Sequence, residues 1–176
     1  MKMRKLLCLL LSLVLVLSLA ACDKKEEKNK SAKAVAEAFM DAMINADSKA
    51  MFDLVPEEVM DYLMESEDMS KSDLKEMYAE LDEEMAESFE EMEEYYGGKM
   101  KITYDVVDEY DLDEDDLADI QEMYEELDIK VKAAKVIELE TTVKVGGEVI
   151  EEDYMELVVI KVGSNWYIEI DQIPGF

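Results

Sequence analysis

Asp111-Leu112-Asp113-Glu114-Asp115-Asp116-Leu117-Ala118-Asp119-Ile120-Gln121-Glu122 is the stretch whose residue types and spacing come nearest to a site. Counted from Asp111, acids stand at positions 1, 3, 5, 9 and 12. A calcium loop spaces its hard oxygen ligands in this way, which makes Asp111, Asp113, Asp115, Asp119 and Glu122 the candidate metal set. Position 6, where such a loop needs glycine for its turn, is Asp116, and the residues before it alternate like a strand. A helix start explains the same letters. Asp111 or Asp113 caps it, acids fill the first turn, and Leu117, Ile120, Met123, Tyr124 and Leu127 form the buried stripe. Weak divalent binding is the expectation, with no dedicated cofactor.

Aromatic residues offer the second candidate. Trp166 and Tyr167 in the last strand, with Tyr104 and Tyr154, supply broad contact surface for a ligand pocket. The competing reading of such a pair puts one ring in the core and one at the surface. Met77, Met85 and Met92 along one helix, and the pairs Met40 with Met43 and Met60 with Met64, have thioethers that suit copper(I), yet they coincide with stripes the helices must bury anyway. Adjacent acids such as Glu83-Glu84, Glu90-Glu91 and Glu151-Glu152-Asp153 recur too often to mark catalysis, and a solvated face is their default. The chain has no histidine, which excludes Ser-His-Asp and Cys-His catalysis. Any catalyst here must use carboxylates, Lys, Tyr or Ser.

These residues stand behind an address. Lys2, Arg4 and Lys5 precede an apolar run from Leu6 to Leu19, too short for a comfortable membrane span, and small residues follow. Leu19-Ala20-Ala21-Cys22 resembles the lipobox of bacterial lipoproteins. That resemblance implies a leader over 1–21, a diacylglycerol on the Cys22 sulfur, and anchorage at the outer face of the bacterial cytoplasmic membrane. With Cys8 in the leader, the domain then has no thiol for a disulfide or a zinc site. Loss of the leader's three basic residues takes Lys and Arg from 18 to 15 against 46 Asp and Glu, and the net charge from −28 to −31. Such a surface repels nucleic acid and anionic headgroups, so membrane attachment must rest on lipid chains.

Residues 22–30 are charged and read as a flexible linker; residues 31–176 are long enough for one domain with a real core. Ser31 caps a helix with Val35, Phe39, Ala42, Met43 and Ala46 on one face, ending near Asn45-Ala46-Asp47. A short helix around Met51 to Leu54 follows, then one with Pro56, Glu57 and Glu58 in its first turn and Val59, Met60, Leu63 and Met64 inward. Ser70 or Ser72 opens a long helix carrying Leu74, Met77, Tyr78, Leu81, Met85, Phe89, Met92 and Tyr96, closed by Gly97-Gly98. Like charges at i,i+3 and i,i+4 on its acidic side each cost a few tenths of a kcal/mol, so its stability must come from tertiary packing.

From Lys99 the apolar period falls to two, with Met100, Ile102, Tyr104 and Val106 on one face. A helix over Glu114 to Leu127 interrupts. A long strand follows in which Ile129, Val131, Ala133, Ile137, Leu139, Thr141, Val143 and Val145 share one parity, and Gly146-Gly147 turns it into a partner from Glu148 to Val162. A two-residue turn sets Val145 against Glu148, Val143 against Ile150, Leu139 against Tyr154 and Val136 against Leu157. Apolar pairs then fall on both faces, so the sheet is expected to bend or change its covered face midway. Gly163-Ser164-Asn165 makes the last turn.

The helices beginning Ala34-Val35-Ala36-Glu37-Ala38-Phe39, and the strands closing with Val162-Gly163-Ser164-Asn165-Trp166-Tyr167-Ile168, resemble the cystatin-like and nuclear-transport-factor-2-like superfamily. The resemblance implies an α+β fold, N-terminal helices on a curved antiparallel four-stranded sheet, with the helix after the first strand as an insertion. Its members include enzymes, ligand carriers and assembly modules, so it fixes no activity. The expected function is a lipid-anchored binding or interaction module for a small ligand or a protein partner. The alternatives are a hydrolase using an acid raised in pKa by burial, and a calcium-responsive acidic surface.

Overall fold

The computed structural model describes residues 29–173. The leader, Cys22, most of the linker and residues 174–176 of the expected domain lie outside the described residues. Helices α1 (Ala32–Ile44), α2 (Ser48–Phe52), α3 (Glu57–Ser66) and α4 (Lys71–Tyr96) precede strand β1 (Met100–Asp111). Helix α5 (Glu114–Glu125), strands β2 (Val131–Val145), β3 (Glu148–Val162) and β4 (Asn165–Ile168), and a 3-10 turn at Ile170–Gln172 complete the chain. The strands form one antiparallel sheet in the order β1-β2-β3-β4. This is the α+β class expected, with α5 inserted between β1 and β2.

Local chemistry sets the boundaries. Ser31 Oγ accepts from Ala34 N at 3.1 Å and opens α1. Ser70 and Asp73 form a reciprocal capping box that opens α4, and Gly97 ends it at φ 75°, a left-handed conformation in which a side chain would be strained. The short second helix starts earlier than Met51, because Asp47 accepts from Ala50 N and caps Ser48–Phe52. Pro56 sits just outside α3 as its N-cap, not inside the first turn.

Alternation of side chains along the paired strands sorts the sheet into two faces. The near face carries Tyr104, Val106, Ile137, Leu139, Leu157, Val159, Trp166 and Ile168, which pack with Val35, Ala36 and Phe39 of α1 into one core. Full burial of Phe39 or Ile137 stabilises the fold by about 2–3 kcal/mol each. The opposite face carries Ala134, Val136, Val158, Ile160, Tyr167 and Glu169, and α5 covers it at this end of the sheet. Toward the Gly146-Gly147 hairpin that face is bare, lined by Glu138, Glu140, Tyr154 and Glu156. The covered face does change along the sheet.

Three β-bulges interrupt the register, and they correct the pairing read from the sequence. Val107, Lys132 and Ile150 are each the extra residue where the register shifts. Val145 does pair with Glu148, but past the Ile150 bulge every partner moves by one: Val143 meets Glu151, Leu139 meets Met155 and Val136 meets Val158. A slip of one residue exchanges faces. It brings Met155 instead of Tyr154 beside Leu139, and sends Tyr154 to the bare acidic face.

The edge at β4 is not open. Trp166 N donates to Asn29 O at 2.8 Å and Ile168 N to Leu54 O at 2.9 Å, so two donors of the short last strand are satisfied by irregular chain. Asn29 belongs to the stretch read as linker, and its carbonyl is already fastened to the sheet.

Candidate functional site

Helix α4 is the longest element, and none of its residues is buried. Its first half is attached to the domain: Ser48 N donates to Asp82 Oδ1 at 2.7 Å, Ser48 Oγ donates to Tyr78 O at 2.9 Å, and the Phe52 and Tyr78 rings lie 5.2 Å apart. Met77, Tyr78, Leu81 and Met85 are half-buried against the core. The second half is fastened by Glu93 Oε1, which accepts from Met100 N at 2.9 Å. Its own apolar residues stay outside the core. Met92 is 38%, Tyr96 40% and Tyr95 84% exposed, and the two tyrosine rings meet edge to face. The expectation that the methionine stripe is core filler therefore holds for Met77 and Met85 and fails at Met92.

At 100° per residue the α4 stripe has two different borders. Asp82 and Glu93 flank the side turned to α2 and β1, and both are used as acceptors there. Glu84 and Glu91, one heptad apart, flank the other side and are exposed. From Glu76 to Tyr96 the helix contains no Lys or Arg, and its last turn has no basic residue to complement the C-terminal dipole. Charge and underpacking both work against this half of the helix.

A concavity of about 410 Å³ lies where α5 hands over to β2, lined by Gln121, Glu125, Asp128, Ile129, Lys130 and Val131. Gln121 Nε2 donates to Val131 O at 3.1 Å and holds its wall. Not among its lining residues is the one buried carboxyl of the described chain. Glu169 is 4% exposed; its Oε2 accepts from Asp171 N at 3.0 Å and its Oε1 has no hydrogen-bond partner. Burial, followed by the nearby Asp171 charge, pushes this carboxyl up to about 7. Tyr124, fully buried on α5, accepts from Ile170 N through its hydroxyl at 3.3 Å, and burial followed by the Glu169 charge raises its pKa above the ordinary tyrosine value. The sequence hides Glu169 because it alternates with Ile168 and Ile170 like any solvent-facing residue. Its one signal is the match between the α5 stripe and a sheet face that needs cover.

The four aromatic candidates are not brought together. Trp166 is buried on the near face with Lys135 and Lys161 at 6.0 and 5.4 Å from its ring, and Tyr167 points to the opposite face. Tyr104 reaches Glu37 O at 2.9 Å and Asp41 Oδ1 at 2.8 Å on α1; burial, then the Asp41 bond, raises its pKa. Tyr154 is 61% exposed and donates to Glu140 Oε1 at 3.2 Å.

The acidic set at 111–122 is spread over a strand end and a helix. Asp113 is the N-cap of α5, accepting from Asp115 N and Asp116 N at 3.0 and 2.9 Å; Asp111 ends β1, 3.8 Å from Lys135 Nζ; Asp115, Asp119 and Glu122 are exposed along α5. Among the described residues no group of three or more His, Cys, Asp or Glu side chains is placed to hold a metal ion. Calcium and magnesium at matched ionic strength are accordingly expected to raise the thermal midpoint equally, through screening of the −28 net charge. A saturable rise with calcium alone, followed by differential scanning calorimetry, would contradict this.

Also among the described residues, no helix is long and apolar enough to cross a membrane. The chain matches no protein-family model, no curated protein and no solved structure.

Proposed function

We propose that the protein is a lipid-anchored binding module at the outer face of the bacterial cytoplasmic membrane, and that its ligand is another protein. The exposed apolar half of α4 is the observation that carries this reading. A side chain such as Tyr95, held on a rigid helix and wet over most of its surface, contributes little to folding and much to a contact with a partner. The helical layer and the antiparallel meander support the resemblance to the cystatin-like and nuclear-transport-factor-2-like superfamily, whose members include assembly modules; the inserted α5 and the long α4 depart from its simplest form. The lipobox supports the anchor.

The hydrolase alternative has one observation in its favour, the buried Glu169. The residues lining the groove at the α5–β2 junction do not include that acid.

Labelling cells with a palmitate analogue tests the anchor, and a photo-crosslinking residue at Met92 tests the surface. Incorporation is expected in the native protein and not in Cys22→Ser, together with a discrete crosslinked protein at position 92. Equal membrane retention of Cys22→Ser removes the anchor. Crosslinking that is no stronger at Met92 than at Glu152, on the bare sheet face, removes the surface.

A further inference from the structure

We infer that the partner presents a cationic amphipathic helix, which lies along α4 with apolar side chains on Phe89, Met92 and Tyr95 and with lysines or arginines against Glu84 and Glu91. The inference rests on the reading of α4 as a protein-binding surface and adds the chemistry of what binds there.

Two separate defects of the helix define the occupant. The first is apolar. Residues 89, 92 and 96 continue the same stripe that Leu81 and Met85 press onto the core, at the same helical spacing, and Tyr95 stands at its Glu84–Glu91 border, yet Met92, Tyr96 and Tyr95 remain 38%, 40% and 84% exposed. A helix face that continues past the edge of its own domain fits a second helix laid into it, read by anchors three and four residues apart. The second is charge. Carboxylates at i,i+3 and i,i+4 repel over the whole second half, among them Glu84 with Glu87 and Glu87 with Glu91, and no Lys or Arg on the helix relieves them after Lys75. Glu93 and Glu94 also stand at the end where the helix dipole is negative.

A neutral apolar partner would cover the stripe and leave the repulsion. A small cation would screen the charge and leave the stripe wet. A helix with an apolar seam bordered by basic residues removes both defects in one docking event, and the heptad between Glu84 and Glu91 sets the spacing of its cations. A second copy of the chain is disfavoured, because two such borders would bring like charges together in the rim of the contact.

The test uses the full chain in detergent. The probes are two eighteen-residue peptides with the same leucine and phenylalanine seam, one flanked by lysine and the other by glutamate, followed by fluorescence anisotropy. The lysine peptide is expected to bind at least tenfold more tightly than the glutamate peptide. Met92→Ser with Tyr95→Ser should weaken it about tenfold, a change of about 1.4 kcal/mol. Glu84→Lys with Glu91→Lys should reverse the preference between the peptides, and Glu151→Lys with Glu152→Lys on β3 should leave affinity within about twofold. These substitutions fall on exposed or half-exposed residues, and circular dichroism confirms that the fold persists.

Binding of the lysine peptide that survives both α4 variants would show attraction to the overall acidic surface and overturn the inference. So would equal affinity for both peptides, or self-association through the stripe in sedimentation. A crosslinked cell-surface partner at position 92 whose contact segment is neutral or acidic would also overturn it while leaving the protein-binding reading intact; absence of any crosslink at 92 removes that reading as well.

Discussion

Tyr124→Ala is expected to destabilise the domain by about 3–5 kcal/mol, the range for emptying a large aromatic site in a packed core. Tyr124 is fully buried and ties three elements together: the α5 helix that carries it, the opposite sheet face with Ala134 and Ile160, and the turn after β4 through Ile170 N. Removing the ring leaves a cavity under α5 and strips one wall from the Glu169 carboxyl. Tyr124→Phe keeps the volume and loses only the hydroxyl, at about 1–2 kcal/mol. Urea denaturation of the three proteins separates the two contributions. Equal midpoints for alanine and phenylalanine would mean that the site relaxes and that α5 is only loosely seated on the sheet.

The second large effect is a dependence on pH written by Glu169. Its carboxyl has an ordinary value near 4.5 and is raised to about 7 in the fold. Between those values the folded state binds the proton and the unfolded state does not, so stability must fall as pH rises through the interval. The contribution is complete below about 4.5, and it is lost above about 7, where the fold holds a charged carboxylate with one unpartnered oxygen. Glu169→Gln removes the titration while its amide oxygen can still accept from Asp171 N. The variant is expected to match the native protein near pH 4 and to exceed it by about 2 kcal/mol at pH 8, allowing for relaxation around the buried charge. Taking the difference between the two proteins cancels the general relief of repulsion that an acidic chain gains on acidification. A constant difference across the range would show that Glu169 ionises as it does in water.

What the sequence could say about this fold depended on whether a local rule decides the outcome. Ser31, Ser70 and the pair Gly97-Gly98 mark helix ends because capping is settled by a few neighbouring groups, and Gly146-Gly147 marks its hairpin for the same reason. The change of period at Lys99 is also local. Bulges are not: the extra residue at Val107, Lys132 or Ile150 is chosen by how two strands and their covering helices fit together, and alternation alone suits several choices. The same effect moves Tyr154 to the bare face, whereas Tyr167 parts from Trp166 by strand alternation alone. Glu169 reads as solvent-facing in the sequence because only the return of α5 onto the second sheet face makes its position dry. The exposed half of α4 misleads for the opposite reason. Its stripe reads as core, and only the short reach of the domain beneath it leaves Met92 and Tyr95 in water.

The bond from Trp166 N to Asn29 O has a mechanical consequence. If the chain is moored by lipid at Cys22 as proposed, a pull on it would reach the globule at Asn29 alongside β4 and load first the four-residue strand at one margin of the sheet. The other margin, β1, stands three strand spacings away, roughly 14 Å, and α4 runs into it through Gly97-Gly98. On the proposed anchor, the pull would enter at one margin of the sheet while the acidic helix joins the other.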